Sequence, residues 1–304
     1  MHILSLLLIV LTSLVFTGIV IRVKSILSGR KGPGVLQPMR DIIRSLRKGS
    51  VYSTTTSFIF QVAPTVYFAC LLTAILFVPF GNQPGLLSFN GDFVFFAYTL
   101  ALGRFFMIIA ALDTGSSFEG MGASREALYA MLIEPAFFIL MGSLALLTGY
   151  TSFAGIFGTL HLGSFVSYGI GILASFVFVT IALIENSRMP VDDPKTHLEL
   201  TMIHEVMILD NSGYDLGLIL YAVNLKFAMY GAIIANFFMT PGFQWAIDLP
   251  IYIAVQLIFA MLVGIIESFS ARFRMSHNPQ FILMFTSISL LIFLGVLLMT
   301  GKIL

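Results

Sequence analysis

Three ionisable residues stand inside long apolar runs of this 304-residue chain: Arg104, Glu134 and Lys226. Each costs at least about 2.5 kcal/mol at the centre of a bilayer unless it is paired or hydrated. Glu134 precedes Pro135, whose missing N–H frees a helix carbonyl and loosens the helix beside the carboxylate. Asp113, Glu185 and Glu267 stand at the ends of other apolar runs, so four segments offer carboxylates toward one side. Buried carboxylates with a lysine among them are the parts a proton relay needs. Snorkelling and structural pairing account equally well for Arg104 or Lys226 taken singly, whereas the proline beside Glu134 favours function there.

Other chemistries find less. One cysteine, Cys70, cannot form an internal disulfide, a Cys-rich zinc site or an iron–sulfur cluster. The five histidines all fall outside the long apolar runs, which excludes a bilayer haem with paired histidine ligands. Asp113-Thr114-Gly115 matches an aspartic-protease triplet, but that site needs two carboxylates and the chain has no second DTG or DSG. His204-Glu205 begins like HExxH, and the fifth position is Ile208, so that motif fails. No metal site is expected.

The elements that position these residues follow from composition. The chain is 58% hydrophobic and 10% charged, against about 25% charged in a soluble domain, which rules out a soluble fold. The net charge of +1 excludes a nucleic-acid partner. Eight runs reach the roughly 20 residues a spanning helix needs: 3–21, 57–80, 93–112, 127–149, 165–183, 216–240, 245–266 and 281–300. The expected fold is therefore all-α, a single integral membrane domain over 1–304. The first run lacks a basic lead-in and is read as a retained helix. No internal repeat is apparent.

Thirteen of the sixteen Lys and Arg lie in four alternate connections: eight within 22–56, then Arg125, then Arg188 and Lys195, then Arg272 and Arg274. The opposite connections, 81–92, 150–164 and 241–244, have none. By the positive-inside rule, loops 22–56, 113–126, 184–215 and 267–280 face the cytoplasm and both termini face outside. In the first loop Met39, Ile42, Ile43 and Leu46 share one helical face among Arg40, Arg44, Arg47 and Lys48. That spacing predicts a short amphipathic helix in the membrane interface. In the second loop Glu119, Arg125 and Glu126 flank a Gly-rich turn, with Ala123 or Ser124 capping the following helix. The third loop holds seven carboxylates, yet 198–209 is too apolar to be free in water, which predicts a docked loop with acids inside.

Three stretches, GRKGPGVLQPMRDIIRSLRKGS, GASREALYAMLIEP and IENSRMPVDDP…LEL…NSG, resemble the signature loops of the membrane-subunit family similar to respiratory complex I subunit 1. The first motif is closer to the branch found in membrane-bound nickel–iron hydrogenases and formate hydrogenlyases. The resemblance implies a non-catalytic, multi-pass subunit of a prokaryotic cytoplasmic (inner) membrane. Its implied partners are a nickel–iron hydrogenase-like large subunit, an iron–sulfur small subunit and antiporter-like membrane subunits that move protons or sodium. The nickel–iron centre and iron–sulfur clusters would belong to those partners, and in complex I the same loops shape a quinone chamber. By motif position Arg30, Gly32 and Pro33 belong to the first signature, Arg125 and Glu134 to the second, and Glu185, Arg188, Asp192 and Glu199 to the third.

The third loop departs from the family pattern at Lys195 and His197, which stand where acids are usual and change the field at the docking surface. His197 is either a titrating group or a docking contact. Three readings remain: an ion-coupling subunit of a hydrogenase-type complex, a quinone-chamber subunit of an NADH:quinone oxidoreductase, and a stand-alone secondary transporter.

Overall fold

The computed structural model describes residues 4–81, 83–160, 165–193, 202–239 and 244–301. Every named element among them is a helix: α1 (Leu4–Leu27), α2 (Gln37–Leu46), α3 (Phe58–Ile75), α4 (Asp92–Asp113), α5 (Ser117–Thr148), α6 (Phe153–Leu160), α7 (Phe165–Glu185), α8 (His204–Met207), α9 (Gly213–Asn236), α10 (Trp245–Phe269) and α11 (Asn278–Thr300). Eight of these, all but α2, α6 and α8, are long and apolar enough to cross a membrane. The chain is a multi-pass membrane protein, and the alternation of its spans gathers the basic connections at one end, called here the basic face. The short amphipathic helix expected over 38–46 is α2, with Pro38 in its first turn and Ile42 buried.

Helix α9 is the axis of the bundle. It packs against α1, α2, α3, α7 and α10, and 83% of its most apolar window is buried, against 28% for α11. The first basic loop folds onto its start. Gly213 has a left-handed φ of +53°, and a Cβ there would lie 2.1 Å from the Gly49 carbonyl oxygen, so only glycine allows this approach. Beside it the Tyr52 hydroxyl donates to Asp215 Oδ2 at 2.7 Å. That bond, helped by burial, pushes the Tyr52 hydroxyl above its usual pKa.

Two expectations for the second loop are corrected. The connection 113–126 is a tight turn at Asp113–Ser116 followed by helix: α5 starts at Ser117, with Ser116 extended at its N-cap. Ala123 and Ser124 are inside the helix, and the Ser124 hydroxyl bonds back to the Met121 carbonyl at 2.9 Å. Gly120 and Gly122 look like loop residues, but Gly122 lies against Val206 and Ile203 in the α8 region. Tertiary packing there overrides the low helix propensity of glycine. The connection 150–164, marked in the sequence only by its lack of Lys and Arg, contains α6, whose Phe153, Ile156, Phe157 and Leu160 are buried.

Candidate functional site: a buried charge cluster

Arg104 lies nine residues from the basic-face end of α4, about 13 Å along the helix axis. Its three nitrogens point at three carboxylates. One terminal nitrogen pairs with Glu185 in the last turn of α7, the other lies 3.6 Å from Glu134, and Nε lies 3.8 Å from Glu126. Glu126 and Glu134 are eight residues apart on α5 and so bracket the guanidinium from one helix face. Lys226 of α9 completes the cluster, with Nζ 2.9 Å from Glu185 Oε2. The same ammonium donates to the Glu185 backbone carbonyl, where a cation suits the C-terminal end of a helix.

Arg104, Glu185 and Lys226 are buried and Glu126 nearly so, while Glu134 is 41% exposed. Three carboxylates against two bases leave the cluster with one acid in excess. Two cavities of about 20 Å³ flank Arg104, each with room for about one water. One touches Glu126, Glu185 and Lys226, and the other touches Glu134, Glu185 and Tyr230. Arg104 therefore lies between two small spaces that share Glu185.

The other predicted relay residues lie elsewhere. Glu267, in the last turn of α10, sits between two bases, 2.8 Å from Lys24 of α1 and 3.0 Å from Arg188. The Arg188 guanidinium also lies 4.8 Å above the Phe227 ring. Asp113 accepts the Ser57 backbone N–H at 2.7 Å and so helps to cap α3. Thus Arg104, Glu134, Glu185 and Lys226 come together, while Glu267 and Asp113 serve other joints.

The predicted docking residues form a second layer. Asp192 is buried, 2.8 Å from Arg272, and accepts the backbone N–H groups of Asp193, Ile203 and His204 at 2.9–3.2 Å. Burial pushes its carboxyl above the usual range, against the pull of Arg272 and those amides. The expected docked loop with acids inside is present at Asp192. Arg125 donates to the Met202 carbonyl at 2.9 Å and holds the same loop onto α5. Arg30 and Lys31 are exposed beside the Gly32-Pro33 turn. His197 and Glu199, with Lys195, lie outside the described residues.

Sequence reasoning passes over two members of this architecture. Glu126 reads as the edge of a turn, and only its placement on α5, two turns before Glu134, marks it as a cluster residue. Glu119 is fully buried and accepts the Asp210 N–H at 3.0 Å; nothing in its local sequence distinguishes it from a solvated acid.

Eight spans enclosing an ionic cluster of helix-borne residues define an integral membrane subunit whose distinctive chemistry is the placement of buried charge. Residues 1–299 match the family model described as NADH dehydrogenase, and the chain belongs to that family. It is 29% identical over 283 residues to hydrogenase-4 component C of Escherichia coli (strain K12), covering 90% of this chain and 88% of that one. It is 28% identical over 265 residues to formate hydrogenlyase subunit 4 of the same organism, covering 84% of each. A membrane-family relative from the NADH-quinone oxidoreductase of Koribacter versatilis (strain Ellin345) matches at 29% over 187 residues, 57% of this chain and 43% of that one. Among solved structures, that of the membrane-bound sulfane sulfur reductase, an archaeal respiratory membrane complex, contains a chain that superposes with a TM-score of 0.80. The match covers 96% of this chain and 98% of that one at 18% identity, a likeness of fold.

Proposed function

We propose that this protein is the membrane-anchor and ion-coupling subunit of a complex I-like energy-converting hydrogenase complex in a prokaryotic cytoplasmic membrane. The observation that carries the reading is the buried Arg104 holding Glu126, Glu134 and Glu185 within one network that also contains the buried Lys226. One excess acid gives the network a place for one proton. A water in each of the small spaces flanking Arg104 would reach Glu126 and Lys226 on one side and Glu134 on the other. A change in the docked loop reaches the network along a short path. Asp192 and Arg125 fix the segment that carries His204, and His204 lines the same cavity as Glu126 and Glu185.

In this reading the basic face receives a soluble nickel–iron and iron–sulfur module, and antiporter-like membrane subunits take up the charge movement. The length of the two Escherichia coli relatives that the chain spans favours a hydrogenase-type complex over a quinone-reducing one. A cavity bounded by α1, α2 and α9 lies near Arg188 and His204. That cavity holds about 200 Å³, and its lining includes Thr17, Ile42, Arg188, His204 and Asn224. A stand-alone transporter predicts substrate flux in liposomes from this chain by itself.

The test substitutes the two acids that Arg104 holds least closely. Glu134→Gln and Glu126→Gln in the assembled complex are expected to cut ion movement at least about tenfold, the scale of a lost proton-transfer group. Electron transfer in the soluble module should stay near wild type. Wild-type ion movement in both variants refutes the reading.

A further inference from the structure

A groove of about 550 Å³ opens between the basic-face ends of α1 and α10, and its lining contains Lys24, Arg30 and Lys31 but no acid. The turn that forms its rim is built to fold back on α1. Gly29 takes a left-handed φ of +67°, and a Cβ on Gly32 would lie 1.9 Å from the Ser25 hydroxyl oxygen. Arg22 braces the turn by donating to the Gly32 carbonyl at 3.5 Å. The Ser25 and Ser28 hydroxyls already donate to helix carbonyls, so the free donor capacity of the groove lies in its three cations. Arg30 and Lys31 are exposed and have no ion-pair partner among the described residues. Lys24 shares the single carboxylate of Glu267 with Arg188, which leaves that trio one positive charge in excess.

The wall beside these cations is apolar and exposed: Leu27 and Phe269 are 45% and 77% exposed. They are the last residues of α1 and α10, both spanning helices, and therefore sit where hydrocarbon gives way to headgroups. Two unpaired cations and a third that shares its one acid, beside exposed apolar side chains at that depth, match a molecule with an anionic head and an acyl tail. A free phosphate would engage the cations alone.

We propose that this groove binds an anionic diacyl phospholipid, its phosphate held by Lys24, Arg30 and Lys31 and one acyl chain lying along Leu27 and Phe269. The lipid would pin α1 to α10 at the same joint that Glu267 closes from within.

The experiment is native mass spectrometry of the full-length protein, purified in mild detergent with its associated subunits, stripped of lipid and titrated with phosphatidylglycerol or phosphatidylcholine of matched chains. Phosphatidylglycerol is expected to be retained about tenfold better, and the exposed double substitution Arg30→Gln/Lys31→Gln should bring it to the phosphatidylcholine level. Arg44→Gln, on the same face but outside the groove, should leave retention unchanged. Equal loss in Arg44→Gln, or none in the double variant, overturns the site. Displacement of the lipid by millimolar sodium phosphate makes it a free-anion site and overturns the lipid assignment. Unchanged lipid retention with loss of a co-purifying protein from the double variant assigns the cations to an acidic partner instead.

Discussion

At the basic end of the bundle, Glu185 faces Arg104 and Lys226, Glu267 faces Lys24 and Arg188, and Asp192 faces Arg272. At the other end, Asp92 and Asp248 are fully buried beside connections that carry no Lys or Arg. Asp92 accepts the Phe153 N–H at 2.8 Å and the Ser88 hydroxyl at 3.1 Å, and Asp248 accepts the Gln244 N–H at 3.0 Å. Asn236 works beside them, accepting from Gly81 N–H and donating to the Pro79 carbonyl. Backbone donors do not titrate, so an acid held by them is a strut that fixes α6 or a loop in place. An acid held by bases sits in a network whose energy changes when a proton enters. The far end uses acids as fixtures, and the basic end sets responsive, ion-paired acids beside fixtures such as Asp113 and Glu119.

Substitutions that keep side-chain shape and remove charge separate the two roles. The largest effect is expected from Glu185→Gln, which leaves Arg104 and Lys226 without their shared carboxylate. Losing one partner of a buried ionic network costs about 3–5 kcal/mol, read as a lowered unfolding midpoint of the purified protein. Asp92→Asn still offers an oxygen to the Phe153 N–H, so about 1 kcal/mol is expected. Equal losses at both sites would erase the distinction between the two ends.

The smallest effect is one of pH. Burial raises the Asp192 carboxyl, so the folded protein holds that proton more readily than the unfolded chain does. Its contribution to stability is complete below the ordinary carboxylate range and declines as pH rises through the raised value. Stability curves of wild type and Asp192→Asn should therefore change their spacing between acidic and neutral pH. Parallel curves would show that Arg272 and the backbone amides fully offset burial.

Much of this is legible in the residues, and the gaps have physical causes. A spanning helix must be a local run of apolar residues, so all eight are visible, along with α2 from its one-sided Met39, Ile42 and Leu46. Pairing is not local. Arg104 and Glu185 are 81 positions apart and Lys226 a further 41, so their charges mark them as costly without saying that they meet. Asp113 looks like a relay member because it shares a residue type and a depth with the others, yet its partner is a backbone amide that no pattern of side chains reveals. Gly120 and Gly122 read as a turn because glycine is a poor helix former in isolation, and the contact with Val206 that offsets this lies some 80 residues downstream. Helix α6 escapes notice because eight residues are too few to span, although Phe153, Ile156, Phe157 and Leu160 share one face at helical spacing.

The order of the cluster along the chain bears on how it enters the membrane. Arg104 arrives on α4 with Glu126 and Glu134 directly behind it on α5, a helical hairpin that carries its own counter-charges. Glu185 follows on α7 and leaves the assembling site with three acids and one base. Lys226 comes last, on the helix that ends up at the centre. A lysine-bearing span is costly to insert, by roughly 2.5–3.5 kcal/mol at mid-bilayer, and here it meets a pocket already two charges short of cations. Chain order thus places every acid of the cluster before the lysine that completes it, and that lysine is carried by the most buried spanning helix.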